Sequence, residues 1–303
     1  MEKQIKPILL IMAAGLWSRY GGLKQIDPVG PNGEILLEFA LKDAIKIGIE
    51  EVIVIVSESI RADFESMIVS KYASQIKITL VTQTLDALPG GYMKNPERTK
   101  PWWTGHAVWC ARDVISGPFI VMNADDFYGH HALKQAFEFL VERWTLNVER
   151  WNEHCIITCP LAKMLSEFGT VSRGICEVVD GKMTHIVEHT KVGYKDGKII
   201  HTCEDGTEIT LTPEMPANMN LFGFQKSIFE VIDEEFNTFL QEYHNEIKRE
   251  FYLLTAVQAM IDAGAGSVSA IGSVSEWFGM TNPEDRLEAK NKIQALIDQG
   301  EYL

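Results

Sequence analysis

No stretch of this 303-residue chain approaches the roughly 20 consecutive apolar residues of a membrane span, which excludes a helical membrane anchor from the expected partners. Cysteine is sparse. The five present (Cys110, Cys155, Cys159, Cys176 and Cys203) form no CxxC pair and no zinc-like spacing to histidine, so they read as small buried hydrophobes in a reducing compartment. Basic residues are outnumbered, 28 Lys plus Arg against 42 Asp plus Glu. The net charge of −14 argues against nucleic acid as a partner and requires a locally basic pocket for any anionic ligand. Repeats, low-complexity tracts and cutting linkers are also missing, so residues 1–303 are expected to form one unit. The lysines near the start, followed by ILLIMAA at 8–14, have the texture of a secretion signal. Seven apolar residues barely reach the minimum for one, and the cytoplasm is the expected location.

What is present is an alternation of apolar runs with amphipathic segments, the pattern of βαβ units around a parallel sheet. Strands are expected at 7–14, 51–57, 76–82, 118–123 and 155–160, with helices near 36–47, 60–71, 106–115 and 131–144. After Gly169 short alternating runs at 175–179, 183–188, 198–203 and 208–211 are punctuated by Asp-Gly pairs, which signals a mainly antiparallel insert. A return strand at 218–224, helices at 226–243 and 250–263, a strand at 267–271 and a last helix ending near 299 complete the pattern. The expected division is a βαβ half over 1–160, a side with the β insert over 161–224 and a helical part over 225–303.

The stretch MAAGLWSRYGGLKQIDP, residues 12–28, follows the first apolar run. Gly15, Gly21 and Gly22 let backbone N–H groups approach a phosphate, Arg19 offers a bidentate clamp, and Lys24 adds a second charge on a loop stiffened by Pro28. An ordinary strand-to-helix turn explains the glycines equally well. Asp125 and Asp126 follow the apolar strand 119–122 and so stand at the carboxyl end of the sheet, where open α/β folds bind ligands. Two carboxylates there suit Mg2+, and a capping or solvated turn is the bland alternative. Glu188, at a strand end, reads by itself as a solvated side chain. His130 and His131 read as surface residues of a helix start.

These segments resemble the signatures of the sugar-phosphate nucleotidyltransferases. The first stretch is similar to A-A/G-G-x-G-S/T-R followed by K-Q-x-x-P, and NADDFYG at 123–129 to the metal-binding segment of that family. FGTV at 168–171 resembles its F/Y-G-x-V, IVEH at 186–189 its I-x-E-K, and NMN at 218–220 its N-T/A-G. The resemblance implies a Rossmann-like three-layer αβα fold with a mixed, mostly parallel sheet and a β-rich insert, and it makes 1–160 the nucleotide-binding half, 161–224 the sugar-phosphate side and 225–303 a helical C-terminal part. The implied activity is condensation of a nucleoside triphosphate, UTP or dTTP favoured, with a hexose or N-acetylhexosamine 1-phosphate, releasing pyrophosphate. Arg19, Lys24 and Asp125 would be catalytic, and Ala14, Gly15, Leu16, Trp17, Gln83, Trp103 and Thr104 would meet the nucleotide. Gly169, Glu188, His189, Lys191 and Asn218 would meet the sugar phosphate, and Asp125 with Asn220 the Mg2+. His189-Thr190-Lys191 stands where many members have Lys-Pro, so either His189 or Lys191 inherits the phosphate contact. The oligomeric state is open, a homo-oligomer among the options.

Trp17 and Trp103 depart from the resemblance, each occupying a glycine that lines the nucleotide slot. Glycine serves there because backbone touches ligand and because φ can be positive. An indole in its place fills the base slot, stacks on the base, or swings into solvent. Three alternative functions stay open: a phosphocholine cytidylyltransferase with an aromatic cage drawn from Trp102, Trp103 and Tyr128, a metal-dependent glycosyltransferase, and a noncatalytic sugar-phosphate-binding relative.

Overall fold

The computed structural model describes residues 6–15, 28–146, 152–166, 169–280 and 285–302. Strand β1 (Ile8–Met12) is apolar throughout because it lies inside the sheet, parallel to β2 (Glu51–Val56) on one side and to β4 (Phe119–Asn123) on the other. Helix α1 (Leu36–Ile47) connects β1 towards β2. Its start is fixed by Glu38, whose carboxylate accepts from the Ile35 N–H at 2.9 Å, and its end by Gly48 at φ 91°. A helical segment of α2 (Glu58–Phe64), a π turn (Glu65–Val69) and α3 (Ser70–Tyr72) leads to β3 (Lys77–Thr82), the outer parallel strand.

Helix α4 (Thr104–Cys110) is shorter than the pattern suggests and starts earlier; α5 (Gly129–Leu146) follows the two-residue strand β5 (Asp126–Phe127). At the start of α5 His131 is exposed as expected, whereas His130 is half-buried, its Nδ1 3.6 Å from the buried Asp43. Strand β6 (Glu153–Pro160) precedes the insert: β7 (Val171–Val179), β8 (Lys182–Lys195), β9 (Lys198–Thr202) and β10 (Glu208–Leu211), which are antiparallel as the Asp-Gly turns predict. Then come β11 (Pro216–Phe224), α6 (Ile228–Tyr243), α7 (Leu253–Asp262), β12 (Ser267–Gly272), β13 (Phe278–Gly279) and α8 (Asp285–Asp298).

The main sheet runs β10-β9-β8-β12-β6-β11-β4-β1-β2-β3, with β7 paired to β11 and β8. From β12 to β3 it is parallel except for β11, which is antiparallel to both neighbours. The insert does not stand apart; β8 pairs with β12 and so extends the same sheet. One core packs between the sheet and α1, α2, α3 and α5, and a second between the sheet and α4, α6 and α7, which makes the three-layer αβα arrangement. A third, smaller cluster gathers Phe39, Phe127, Phe278 and Tyr302 around β5 and β13. Among the described residues no helix is long and apolar enough to cross a membrane.

Candidate active site

The carboxyl ends of β1 and β4 are tied together, the Ala124 N–H donating to the Met12 carbonyl at 3.0 Å. This bond brings the end of β1, from which Ala14 and Gly15 lead towards the expected phosphate loop, beside the start of the acid turn. Leu16, Trp17, Arg19 and Lys24 lie outside the described residues. Asp126 accepts from the Asn123 side chain at 2.8 Å and meets the buried Tyr128 hydroxyl at 3.3 Å. That hydroxyl also lies 2.8 Å from the Met219 carbonyl and accepts from the Asn123 N–H, so Asp126 belongs to the scaffold of the turn. The Asp125 carbonyl receives the Met280 N–H at 3.1 Å, which ties the turn to the end of β13. Sequence reasoning missed Gly279, where a Cβ would collide with the Asp126 carboxylate that faces it across the β13–β5 pair.

Asn218, Met219 and Asn220 form a bulge in β11 beside this turn. Asn220 sits at φ 58°, the left-handed region that asparagine tolerates better than most residues, at the position where the resembling motif has glycine. Its N–H donates to Asn218 Oδ1 at 2.8 Å, and its own Oδ1 accepts from Asn218 Nδ2 at 2.9 Å. A carboxylate and an amide oxygen are hard donors that fit Mg2+, which takes few ligands from the protein and the rest from phosphate and water. No group of three or more His, Cys, Asp or Glu among the described residues is placed to form an all-protein metal cage.

Strands β7 and β8 lie next to this bulge, β7 pairing with β11 at Ala217. Glu188 pairs across the strands with Gly174, and a Cβ at Gly174 would stand 3.4 Å from Glu188 Oε2 and 3.3 Å from Asn218. Glycine therefore brings Glu188 and Asn218 to one floor, with Leu254 beside them. Solvent reaches Glu188, yet protein crowds it enough to push its carboxyl above the ordinary value, with Arg173 pulling the other way. Among the described residues the Glu188 carboxylate makes no hydrogen bond or ion pair.

The register separates His189 from Lys191. Val171 pairs with Val192 and Arg173 with His189, so β8 has one residue more than β7 here, and Lys191 takes φ 51°. Cross-strand partners share a face. His189 and Val192 therefore lie on the Arg173 face, while Thr190 and Lys191 both fall on the face of Glu188. The His189 ring meets His201 edge-on at 4.7 Å. Gly169 lies alongside, bridged to Ser166 and close to Gly193; Phe168 lies outside the described residues.

On the third side, Trp103 precedes α4 at φ 79° and ψ −159°, a conformation essentially reserved for glycine. Its indole is 38% exposed and meets Tyr252 edge-on at 6.4 Å. The head of α4 is pinned from α7: Gly105 N–H donates to the Phe251 carbonyl, and Leu253 N–H to the Thr104 hydroxyl at 3.1 Å. Gln83, just past β3, brings Nε2 to 3.1 Å from the Trp103 carbonyl and 3.0 Å from His106 Nδ1. The residues of the alternative aromatic cage do not come together at one surface. Trp102 is fully buried, its indole N–H donating to the Leu85 carbonyl and its ring under the Arg98 guanidinium, and Tyr128 is buried in the acid turn. Sequence names the three rings together; burial of Trp102 and Tyr128 leaves Trp103 alone at the surface among them.

The sequence profile of the nucleotidyl transferase family matches residues 23–295. The UTP–glucose-1-phosphate uridylyltransferase of Bacillus subtilis (strain 168) is 29% identical over 137 residues, covering 42% of this chain and 46% of that protein, so the match spans about half of each. A Bacillus anthracis protein assigned as a glucose-1-phosphate thymidylyltransferase and solved with sucrose shares the fold at a TM-score of 0.63, with 12% identity over 95% of both chains. The inositol-1-phosphate CTP transferase of T. maritima follows at 0.60, with 15% identity over 95% of this chain and 96% of that one. With the profile spanning most of the sequence and its αβα fold shared, this chain belongs to the nucleotidyl transferase family.

Proposed function

We propose that the chain condenses a nucleoside triphosphate, UTP or dTTP, with a hexose or N-acetylhexosamine 1-phosphate to give the nucleotide sugar and pyrophosphate. The observation that carries this reading is the pairing of two half-sites. Asp125 and Ala14–Gly15, where the expected phosphate loop begins, stand at the carboxyl ends of β1 and β4, and Glu188, without a hydrogen-bond donor among the described residues, shares a floor with Asn218, two residues from Asn220. A crowded carboxylate without a protein donor suits sugar hydroxyls, which return the hydrogen bonds that water would supply. Lys191, on the Glu188 face, takes the sugar phosphate; Gly169 lets the sugar lie against backbone. The attacking phosphate is already ionised, so the protein's work is positioning and charge neutralisation. Arg19 holds the triphosphate and Lys24 the charge near the attacked phosphorus.

Asp125 and Asn220 would hold Mg2+, which supplies charge neutralisation on phosphate oxygens. The phosphocholine alternative loses support with its cage. The test is pyrophosphate release from each of four NTPs against a panel of sugar 1-phosphates, with Asp125→Asn as the control. That variant is expected to lose at least a hundredfold in kcat/KM, about 2.7–4 kcal/mol, with its unfolding midpoint unchanged. Turnover within tenfold of the parent removes Asp125 from the mechanism.

A further inference from the structure

Two histidines flank the bulge of β8, and each is bonded to a backbone carbonyl of that strand. His189 Nδ1 lies 3.0 Å from the Val187 carbonyl, two residues before it, whereas His201 Nδ1 reaches across from β9 to lie 2.6 Å from the Thr190 carbonyl. Only the second bond joins two strands. A carbonyl oxygen only accepts, so Nδ1 of His201 carries a proton and donates it to the bond with Thr190. In the neutral ring Nε2 is then the acceptor, and the Cys203 thiol stands 3.5 Å from it, while the His189 ring meets the imidazole edge-on. The ring is thus held from both nitrogens.

The register explains why a side chain serves that carbonyl. β8 and β9 pair from Lys195 with Lys198 to Val192 with His201, and the ladder ends there, short of the bulge. Cys203, which would stand opposite Thr190 if the register ran on, gives its N–H to the Thr207 carbonyl at 2.8 Å as the chain turns towards β10. The residue after Thr190 is Lys191, whose φ of 51° brings its Cβ against the following carbonyl, a conformation that lysine keeps only where neighbouring bonds impose it. The His201 bond holds the peptide that leads into Lys191. Turning that peptide over, the change that would return Lys191 to negative φ, breaks the bond. His201 is the cross-strand partner of Val192 and so shares the Arg173 face with His189, whereas Lys191 falls on the Glu188 face. The imidazole therefore acts on Lys191 through the backbone alone. Among the described residues the Lys191 side chain makes no hydrogen bond or ion pair, which leaves its ammonium to a ligand.

Resting on the reading of Lys191 as the sugar-phosphate contact, we infer that His201 is a positioning residue for the sugar 1-phosphate: from the far face of the sheet its Nδ1–H holds the Thr190–Lys191 peptide and so keeps the Lys191 ammonium on the side of Glu188, where phosphate and sugar hydroxyls are bound together. His189, bonded within its own strand, has no such hold on Lys191.

Steady-state kinetics of the intact chain with Mg2+ and the fastest substrate pair, UTP with glucose 1-phosphate as the first probe, test this. His201→Phe keeps a ring and removes the donor, and it is expected to raise the KM for the sugar 1-phosphate about tenfold, the effect of one lost hydrogen bond, with kcat and the KM for the NTP within about twofold. His201→Ala, which adds no bulk, is expected to do the same. His201→Asn restores a donor near the Nδ1 position and is expected to stay within about threefold of the parent. In a Lys191→Ala background His201→Phe adds nothing, because the group it positions is gone. An unchanged KM in His201→Phe and His201→Ala, equal losses in the Phe and Asn variants, or a full tenfold loss on top of Lys191→Ala overturns the inference and leaves nucleotidyl transfer standing. If Lys191→Ala itself leaves the KM unchanged, the underlying reading of Lys191 fails instead, and if no NTP releases pyrophosphate with any sugar 1-phosphate, nucleotidyl transfer fails with it.

Discussion

Trp103 holds a backbone conformation that its own Cβ opposes. Residues in the glycine-only region cost roughly 1–3 kcal/mol and persist where surrounding structure dictates them. Here the dictating bonds are the Gly105 and Leu253 amides donated across to and from α7, together with the ladder to Ala107. The edge contact with Tyr252 returns only part of the cost. Trp103→Ala therefore keeps the strain and loses the ring, whereas Trp103→Gly loses both. The glycine variant is expected to be more stable than the alanine variant by about 1–2 kcal/mol in urea unfolding, despite the greater chain entropy of glycine. The opposite order shows that the backbone there carries no strain. The oddity at Trp103 was legible in the sequence as a bulky residue at a glycine position. Asn220 likewise stands where the resembling motif has glycine, but that it takes the left-handed conformation itself is known only once φ is seen.

Among the elements, α1 was legible to the residue, because a strong apolar stripe runs between Glu38, which caps it, and Gly48, which ends it. α4 was not. Its start is set by carbonyls and amides of the distant 251–253 segment, and nothing local to residues 104–110 announces them. The insert was read as hairpins from its Asp-Gly pairs, yet its union with the main sheet depends on β12 slotting between β8 and β6, a long-range event. The extra residue of β8 is likewise invisible until the register with β7 is fixed, and it puts the two candidate phosphate ligands on opposite faces. Lys191→Ala is expected to raise the KM for the sugar 1-phosphate by tenfold or more, in line with about 1.5–3 kcal/mol for a hydrogen bond to a charged group. His189→Ala, on the other face, is expected to change it less than threefold. Steady-state kinetics with saturating NTP reads both, and reversed magnitudes place the phosphate on the His189 face.

At the scale of the whole molecule, three buried titratable groups set opposing pH dependences. Burial pushes the Asp43 carboxyl up to about 7, although the Tyr302 hydroxyl donates to it at 2.7 Å and Lys46 lies near. It pushes the imidazoles of His106 and His154 down to about 4 and about 3. Between about pH 4 and 6.5 the unfolded chain binds a proton at each histidine that the folded chain refuses, so both contributions raise stability with pH. Over the same range folded Asp43 keeps a proton that the unfolded chain releases near 3.8, so its contribution falls with pH. Two rising contributions outweigh one falling. Above about 6.5 the histidine contributions level off, while that of Asp43 declines until about pH 7. The urea midpoint is therefore expected to climb from pH 4, to crest near 6.5 and to drop towards pH 8, helped by self-repulsion at a net charge of −14. Asp43→Asn keeps a hydrogen-bonding group beside Tyr302 and carries no proton to lose, so its climb is steeper and its alkaline drop smaller than the parent's. Parallel pH profiles for the two proteins would mean that Asp43 ionises in the fold at its ordinary value, through water or a cation reaching the space between α1 and Tyr302.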